Sequence, residues 1–205
     1  GIDPENGDPL WYKDEVDANK NPTGKRVTTN DYGSADYYYV DKSSLPKVYG
    51  GFNTSLSWKG FDLSAIFAYS IGGYIYNRDV TMILHNGSLE GRDWSTEILR
   101  RWTPDNRYTD VPALSTTSNN WNSASTRFLQ NNSYMRLKNL TLSYNLPKQW
   151  ISKLSLSSVQ VYVQGDNLFT IHRNQGLDPE QGITGITYYR YPAMRTISGG
   201  INVSF

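Results

Sequence analysis

The chain has 205 residues, a formal net charge of +1 and no cysteine. A near-neutral charge gives no electrostatic footprint for nucleic acid, and the lack of cysteine excludes disulfides and thiolate metal sites. Mean hydropathy is −0.59, and no apolar run approaches the roughly 18 residues of a membrane helix, although transmembrane β-strands remain compatible with such a composition. The opening residues lack the charged and apolar regions of a signal peptide, so an exported protein would have its N-terminal part outside this sequence.

Aromatic residues make up 14% of the chain, with 16 Tyr and 6 Trp against 6 Phe. Rings that carry a polar group suit the interfacial girdles of membrane proteins, and they also suit carbohydrate-binding surfaces. Composition leaves both possibilities open.

The first half of the chain contains one clear hairpin. Residues 1–46 are rich in Gly, Asp, Asn and Pro without a sustained period, which predicts a long loop with a possible short strand at 37–40. Residues 48–58 and 61–71 then alternate apolar and polar side chains on either side of Lys59-Gly60. This pattern predicts two strands joined by a two-residue turn.

The second half of the chain alternates long irregular stretches with strands. Residues 72–131 are irregular, with one short helix predicted over Trp94–Trp102 and Asp93 as its N-cap. Strands are predicted over 133–144 and 158–169. The apolar parity slips near Lys138-Asn139, which indicates a β-bulge.

The final predicted strand, 195–205, alternates without interruption to the end of the sequence. Its apolar face holds Ile197, Ile201, Val203 and the terminal Phe205, whereas the other face is small and polar. Strands of about ten residues with this pattern are typical of transmembrane barrels. A soluble edge strand usually carries a charge or a proline, and beyond Arg195 this strand has neither.

The connections alternate between long and short, at 1–46, 59–60, 72–131, 145–157 and 170–194. Outer-membrane barrels have short periplasmic turns and long extracellular loops, so a periplasmic C-terminus would place 1–46, 72–131 and 170–194 outside the cell. The predicted fold class is all-β: a transmembrane antiparallel β-barrel segment with long extracellular loops and one short loop helix. Because about five strands cannot close a barrel, the chain is expected to be the C-terminal end of a larger protein.

Several segments in order resemble the SusC/RagA-like TonB-dependent outer-membrane transporters. The first is Pro46-Lys47-Val48-Tyr49-Gly50-Gly51-Phe52, similar to the family's P-x-x-x-G-G-F strand opening. The others are Trp102-Thr103-Pro104-Asp105-Asn106, Ser133–Tyr144 (SYMRLKNLTLSY, similar to S-Y-x-R-L-K-N-x-T-L-x-Y), Asp166-Asn167-Leu168-Phe169, Gly176-Leu177-Asp178-Pro179-Glu180 and Phe205.

The resemblance implies a barrel of about 22 strands, of which this chain would supply the last five or so, with the plug domain absent from this sequence. It implies TonB-energised import of oligosaccharides, glycans or peptides across the cell outer membrane of a Gram-negative bacterium. The implied partners are the rest of the barrel and its plug, a SusD-like surface lipoprotein, TonB, the barrel-assembly machinery and outer-membrane lipid. The terminal aromatic Phe205 would be the assembly signal. No cofactor, metal or enzymatic activity is implied.

Parity and loop position nominate the candidate site residues. Loop aromatics could stack on a substrate ring or pack against a partner: Tyr188, Tyr189, Tyr191 and Trp121. Trp94 and Trp102 more simply anchor the short helix. Polar side chains on strands are predicted to face the lumen: Arg136, Lys138, Gln160, Tyr162 and Gln164.

Other polar motifs have plain alternatives. The repeated D-P-E-x-G at Asp3 and Asp178 could hold a cation such as calcium, but Asx-Pro turns explain it more simply. Asp178 and Glu180 could in principle form an acid–base pair for glycoside hydrolysis, although nothing places them across a cleft. His85 and His172 are expected to be exposed loop residues rather than metal ligands.

A soluble, secreted β-sandwich that binds carbohydrate through Tyr and Trp is the rival interpretation, with an enzyme third. The two leading interpretations differ in what covers the outward apolar side chains. These would meet lipid in a barrel and a second sheet in a sandwich: Phe52, Leu56, Phe61, Phe67, Val161 and Ile201.

Overall fold

The computed structural model describes residues 1–87, 89–117, 120–174, 176, 178–180, 182, 184–187 and 189–205, except for the side chain of Leu154. They divide into two units. The loop unit comprises Gly1–Asp41 and Asn77–Phe128, and the sheet unit comprises Lys42–Tyr76 and Leu129–Phe205. None of the described helices is both long and apolar enough to cross a membrane.

The loop unit opens with a β-hairpin where a structureless loop was predicted. Strands β1 (Trp11–Val16) and β2 (Pro22–Thr29) pair antiparallel. Asp17 closes the turn, its Oδ1 accepting from the backbone N–H groups of Asn19 at 2.8 Å and Asn21 at 2.9 Å. The hairpin lacks an apolar face, since Tyr12 and Val16 point to its exposed side. Residues 37–40, a possible strand by sequence, are not in a strand.

The rest of the loop unit contains short helical turns. Helix α1 (Arg78–Ile83) was not predicted; it begins at Asn77, whose Oδ1 accepts from the Val80 N–H at 3.1 Å. The helix predicted over 94–102 with Asp93 as cap is instead a 3₁₀ turn, Thr96–Arg100, capped by Ser95. Further 3₁₀ turns occur at Tyr32–Ser34 and Thr126–Phe128. The buried apolar side chains of this unit include Leu84, Ile98, Val111, Trp121 and Phe128.

The sheet unit is built on five antiparallel strands. They are β3 (Val48–Trp58), β4 (Phe61–Ile71), β7 (Tyr134–Asn145), β8 (Ser158–His172) and β9 (Thr196–Ser204). A small second sheet pairs β5 (Tyr74–Tyr76) with β6 (Leu129–Asn131), and helix α2 (Lys148–Ile151) with the turn Ser152–Leu154 lies in the β7–β8 connection. The large sheet has the order β3-β4-β7-β8-β9, so each strand neighbours the next one of the five along the chain.

Turn and bulge chemistry fix the register of this sheet. Lys59 and Gly60 both have positive φ, 47° and 90°, as the two-residue I′ turn of a hairpin requires. The bulge predicted at Lys138-Asn139 is present, because Leu137 pairs with Phe67 and Asn139 with Ile66, which leaves Lys138 as the extra residue. Strand β8 runs on past its predicted end at 169 to His172.

The bulge keeps one face of the sheet apolar and the other polar. Cross-strand partners on the apolar face include Leu56, Leu63, Leu142 and Val163, which are 66%, 40%, 42% and 48% exposed. The outward side chains named above are likewise uncovered: Phe52, Leu56, Phe61, Val161 and Ile201 are exposed, and Phe67 stacks on Phe52 with ring centroids 4.7 Å apart. No second sheet of the described chain covers this face, as a soluble sandwich would require.

Candidate functional site

Side-chain hydrogen bonds join the strands on the polar face of the large sheet. Asn139 donates to Asp166 at 2.8 Å, Gln160 donates to Ser143 at 3.3 Å, and Asn202 donates to Gln160 at 3.2 Å. The first and third of these bonds join paired positions on neighbouring strands, and the Gln160–Ser143 bond joins diagonal positions on β8 and β7. These bonds align polar side chains across β7, β8 and β9, which is how a barrel wall borders water.

At the bulge, two cations from β7 meet two carboxylates from the loop after β8. Arg136 forms an ion pair with Asp178 through one guanidinium nitrogen and with Glu180 through the other, the latter at 2.7 Å. Lys138 also reaches Glu180, at 2.7 Å. Both cations reach one carboxylate because residues 136 and 138 are two positions apart and lie on the same face of the strand.

This group of four, the ionic cluster, is anchored to the strand beneath it. The Arg136 Nε donates to Thr170 on β8 at 2.9 Å. The side chains of Arg136 and Asp178 are only 4% and 7% exposed, whereas Lys138 and Glu180 are 34% and 35% exposed. A buried ion pair with both partners hydrogen-bonded is held in a single geometry.

The surroundings of Asp178 favour its charged form. Burial would raise the pKa of its carboxyl, but hydrogen bonds from Arg136 and from the backbone N–H groups of Ala193 and Glu180 lower the pKa below its ordinary range. The Ala193 N–H donates at 2.6 Å and the Glu180 N–H at 2.9 Å. One carboxylate thereby ties two parts of the 173–195 loop to β7.

Further bonds hold the same loop. Asn132 donates to the Pro179 carbonyl at 2.8 Å, and Asn174 donates to Asn132 at 2.8 Å. Near the other end of the loop, the Asn167 amide donates to the Met194 carbonyl at 3.2 Å. These bonds attach the loop at three of its described residues, Asn174, Pro179 and Met194.

The side chains predicted to face the lumen share the polar face. On β8, Gln160, Tyr162 and Gln164 pair with Asn202, Gly200 and Ser198 of β9. The Tyr162 ring lies over Gly200, where a Cβ atom would come within 2.6 Å of the Tyr162 hydroxyl. Arg136, also predicted to face the lumen, lies on this face as well, where it is buried and ion-paired.

The loop aromatics proposed for substrate are not gathered into one site. Tyr188 lies outside the described residues. Tyr189 and Tyr191 belong to the sheet unit and are 72% and 98% exposed. Trp121 belongs to the loop unit, where it is only 5% exposed with Arg127 stacked 3.3 Å from its ring centroid. An open stacking surface at Trp121, as the sequence suggested, is therefore not present.

A second aromatic feature, which was not predicted from the sequence, is a cleft of 430 Å³ in the loop unit. Its walls come from β1, the segment 32–40 and the segment 121–127. Its rings are those of Trp11, Tyr12, Tyr32, Tyr37, Tyr38, Tyr39 and Trp121. The run of tyrosines at 37–39 is the sequence signal for this cleft, although the same residues also suggest a short strand.

The remaining motifs have structural roles. Both D-P-E copies form Asx turns, since Asp3 and Asp178 each accept the backbone N–H two residues on, from Glu5 and Glu180, at 2.9 Å. Among the described residues, no three His, Asp or Glu side chains cluster as metal ligands. Asp178 and Glu180 are both ion-paired with cations rather than placed across an open cleft from each other.

The histidines and the loop tryptophans also differ from simple surface residues. His85, expected to be exposed, is 1% exposed, and its Nδ1 accepts from the Trp94 indole at 3.1 Å. His172 is exposed, at the end of β8, and its Nδ1 lies 2.9 Å from the Asn174 carbonyl. Trp102 donates to the Pro4 carbonyl at 3.1 Å. Trp94 and Trp102 thus anchor the 3₁₀ turn between them, as predicted.

No protein-family model matches the chain. It is 34% identical over 166 residues to TonB-dependent receptor P3 of Formosa agariphila, covering 76% of this chain and 16% of that protein. It is 30% identical over 184 residues to TonB-dependent receptor P26 of the same species, covering 84% of this chain and 18% of that protein. With SusC of Bacteroides thetaiotaomicron it shares 27% identity over 198 residues, covering 95% and 19%.

Solved structures agree with these relatives. The RagAB peptide importer in its closed-closed state matches with a TM-score of 0.83 and 36% identity, over 100% of this chain and 22% of that one. A structure of the RagAB peptide transporter gives the same values. The chain spans less than a fifth of the length of the curated relatives it matches. It belongs to the SusC/RagA-like family of TonB-dependent outer-membrane transporters, of which it forms a portion of the β-barrel.

Proposed function

We propose that the protein containing this chain imports nutrients across the outer membrane, and that this chain supplies barrel wall, lumen surface and extracellular loops. The observation that carries the proposal is the two-faced sheet. Its apolar face is uncovered, and its polar face is bonded from strand to strand. Such a sheet is stable where lipid covers one side and water the other.

Strand length is consistent with a membrane span. Strands β3 and β4 have 11 residues each, or about 36 Å at about 3.3 Å per residue, and a tilt of about 45° brings this to about 25 Å. The outer strands β3 and β9 are not paired on their free sides by any described strand. In the full protein those edges join the remainder of the barrel.

The function proposed for the whole protein is TonB-energised uptake of oligosaccharides, glycans or peptides. A surface lipoprotein of the SusD type would cover the extracellular side, the plug would contact TonB, and the barrel-assembly machinery would recognise Phe205. The relatives are receptors and importers, which supports a chain that lines a path and does no chemistry. The 173–195 loop, fastened by the ionic cluster, would narrow that path from the barrel wall.

Uptake by the full-length transporter in its own host tests this function. A deletion strain is grown on single glycans or peptides, with and without the complementing gene and with and without TonB. Growth on at least one substrate should require both the gene and TonB. Equal growth of the deletion and the complemented strain on every substrate that the host uses would contradict the proposal.

A further inference from the structure

The aromatic cleft of the loop unit contains a cation without an acidic partner. The Arg127 guanidinium lies 3.3 Å from the centroid of the Trp121 ring, and none of the described carboxylates lies within ion-pair distance of it. Asp110 and Glu97, whose charges act on Arg127, are instead both paired with Arg100.

Burial makes this isolated charge costly. Desolvation lowers the pKa of Arg127 to about 10, although Asp110 and Glu97 act in the opposite direction. Stacking on an indole face compensates a cation in part. An anion brought into the cleft by a ligand would restore the lost electrostatic stabilisation, and a guanidinium presents paired donors to a carboxylate or a sulfate.

The other groups of the cleft favour rings over an extended peptide. The free edge of β1 is already used, because Tyr12 accepts the Asp36 N–H at 3.1 Å and the Asp14 N–H donates to Asp36 Oδ2 at 2.7 Å. A peptide strand added to this edge would find those groups occupied. The Asp14 carboxylate also accepts from the Tyr38 hydroxyl at 2.9 Å, so the acidic groups here are bonded within the protein.

What the cleft offers a ligand is ring faces. Tyr37 and Tyr39 are 93% and 92% exposed. Trp11 and Tyr32 pack edge to face with centroids 5.2 Å apart, and the Tyr32 hydroxyl is fixed on the Ala124 carbonyl at 2.9 Å. Fixed and exposed rings of this kind stack on the apolar faces of sugars and keep hydroxyl groups at their rims. A volume of 430 Å³ is within the range of small-ligand sites.

From this arrangement we propose that the aromatic cleft is a binding site for an anionic oligosaccharide, with Arg127 holding the charged group of a sugar ring that stacks on the tyrosines. The charged group is a carboxylate or a sulfate ester, which Arg127 recognises by the same chemistry. This inference rests on the proposed function, because it names the class of cargo or ligand captured at the transporter's surface loops.

The test measures binding to the full-length transporter, purified in detergent, by isothermal titration calorimetry. Trigalacturonate is compared with its neutral methyl ester, which has the same rings without the charge; a sulfated galactose trisaccharide and triglutamate are the other probes. We expect trigalacturonate or the sulfated trisaccharide to bind at least about tenfold more tightly than the ester, as for a hydrogen bond to a charged group. That preference should weaken as salt concentration rises.

Three variants separate the roles of charge and ring. Arg127→Gln should remove the preference for the charged sugar and leave binding of the ester unchanged. Tyr39→Ala should weaken both sugars by similar factors, because it removes a stacking face. Arg92→Gln, an exposed arginine outside the cleft, is the matched control and should behave as the wild type. All variants must retain the faster gel migration of an unboiled barrel.

Several results would overturn the proposal. Equal affinity for acid and ester, or no binding of either anionic sugar by the folded transporter, excludes an anion site. Equal losses in Arg127→Gln and Arg92→Gln exclude Arg127 as its origin. Triglutamate bound as tightly as the sugars, with the same dependence on Arg127, would assign the cleft to acidic peptides. None of these results would affect membrane insertion or TonB-dependent growth, on which the proposed function stands.

Discussion

The Arg136 guanidinium and the Asp178 carboxylate are both buried, and each charge is compensated by the other. Two charges taken out of water are tolerable when they are paired and hydrogen-bonded. Here Thr170 bonds the cation, and the Ala193 and Glu180 N–H groups bond the anion. Lys138 and Glu180 are about one-third exposed, so water can stabilise their charges and they depend less on pairing. The attachment of the 173–195 loop therefore depends mainly on Arg136 and Asp178.

Arg136→Gln should release this loop. The substitution leaves the Asp178 carboxylate buried without a cation, which costs about 3–5 kcal/mol for a broken buried pair. Lys138→Gln, at a pair that is about one-third exposed, should cost about 1 kcal/mol or less. Limited proteolysis of intact cells, followed by mass spectrometry, should show faster cleavage within residues 173–195 for Arg136→Gln alone. Equal cleavage rates in the two variants would contradict the primary role of the buried pair.

The same pair predicts a direction of pH dependence. Because hydrogen bonds lower the pKa of Asp178 in the folded state, its contribution is present above the unfolded value of about 3.9 and is lost as pH falls through the folded value. Hydrogen exchange of the Ala193 amide, corrected for the intrinsic rate, should stay protected from pH 7 to pH 4. Asp178→Ala removes the accepting oxygens and should therefore remove the protection at every pH in that range. Loss of protection in the wild type between pH 7 and pH 5 would refute this assignment.

At the scale of elements, period-two patterning located the five long strands, the Lys59-Gly60 turn and the Lys138 bulge. Each of these leaves a local signal, since alternation, glycine and a parity slip are visible within a few residues. The β1–β2 hairpin gives no such local signal. In β1 the charged residues 13 and 15 lie on the more buried face, and the apolar residues 12 and 16 point outward.

The candidate sites were less accessible to sequence reasoning than the strands. Arg136 and Asp178 are separated by 42 positions, and no local pattern indicates that a loop folds back onto a strand. The pairing of lumen-side cations with an acidic loop motif was the available hint. In the aromatic cleft, segments near residue 11, residue 38 and residue 124 come together only through the fold. Local periodicity therefore predicts the barrel strands better than it predicts the loop contacts and the cleft that distant segments form.

Neighbouring residues on β4 test which face meets lipid. Leu63 pairs with Leu56 and Leu142 on the apolar face, and Ser64 pairs with Ser55 and Thr141 on the polar face. Leu63 lies between the short-turn end of β4 and its middle, so Leu63→Lys should cost about 1–2 kcal/mol, whereas Ser64→Lys should cost little. The fraction of outer-membrane protein that migrates faster unboiled should fall for Leu63→Lys alone. Similar fractions for the two lysine variants would argue against a lipid-facing side.

At the scale of the whole molecule, the distribution of aromatic side chains agrees with a membrane boundary at the short-turn end. Trp58 and Phe61 flank the Lys59-Gly60 turn, and Phe61 packs on Tyr144 with centroids 4.5 Å apart. Trp150, in the other short connection, is 64% exposed. Amphipathic and aromatic rings collect at the level of lipid headgroups. Both short connections thus have aromatic side chains suited to one membrane–water interface. The orientation of the barrel across the membrane can therefore be tested at residues on either side.

The proposed orientation places residue 59 in the periplasm and residue 108 outside the cell. Lys59 is exposed in its turn, Tyr108 is 93% exposed in the loop unit, and the chain contains no cysteine. Tyr108→Cys should therefore react with a membrane-impermeant maleimide on intact cells, whereas Lys59→Cys should react only after the outer membrane is permeabilised. The unsubstituted protein, labelled in parallel, gives the background. Labelling of residue 59 but not of residue 108 on intact cells would show the opposite orientation of the barrel. The aromatic cleft would then lie on the periplasmic side, away from any extracellular ligand.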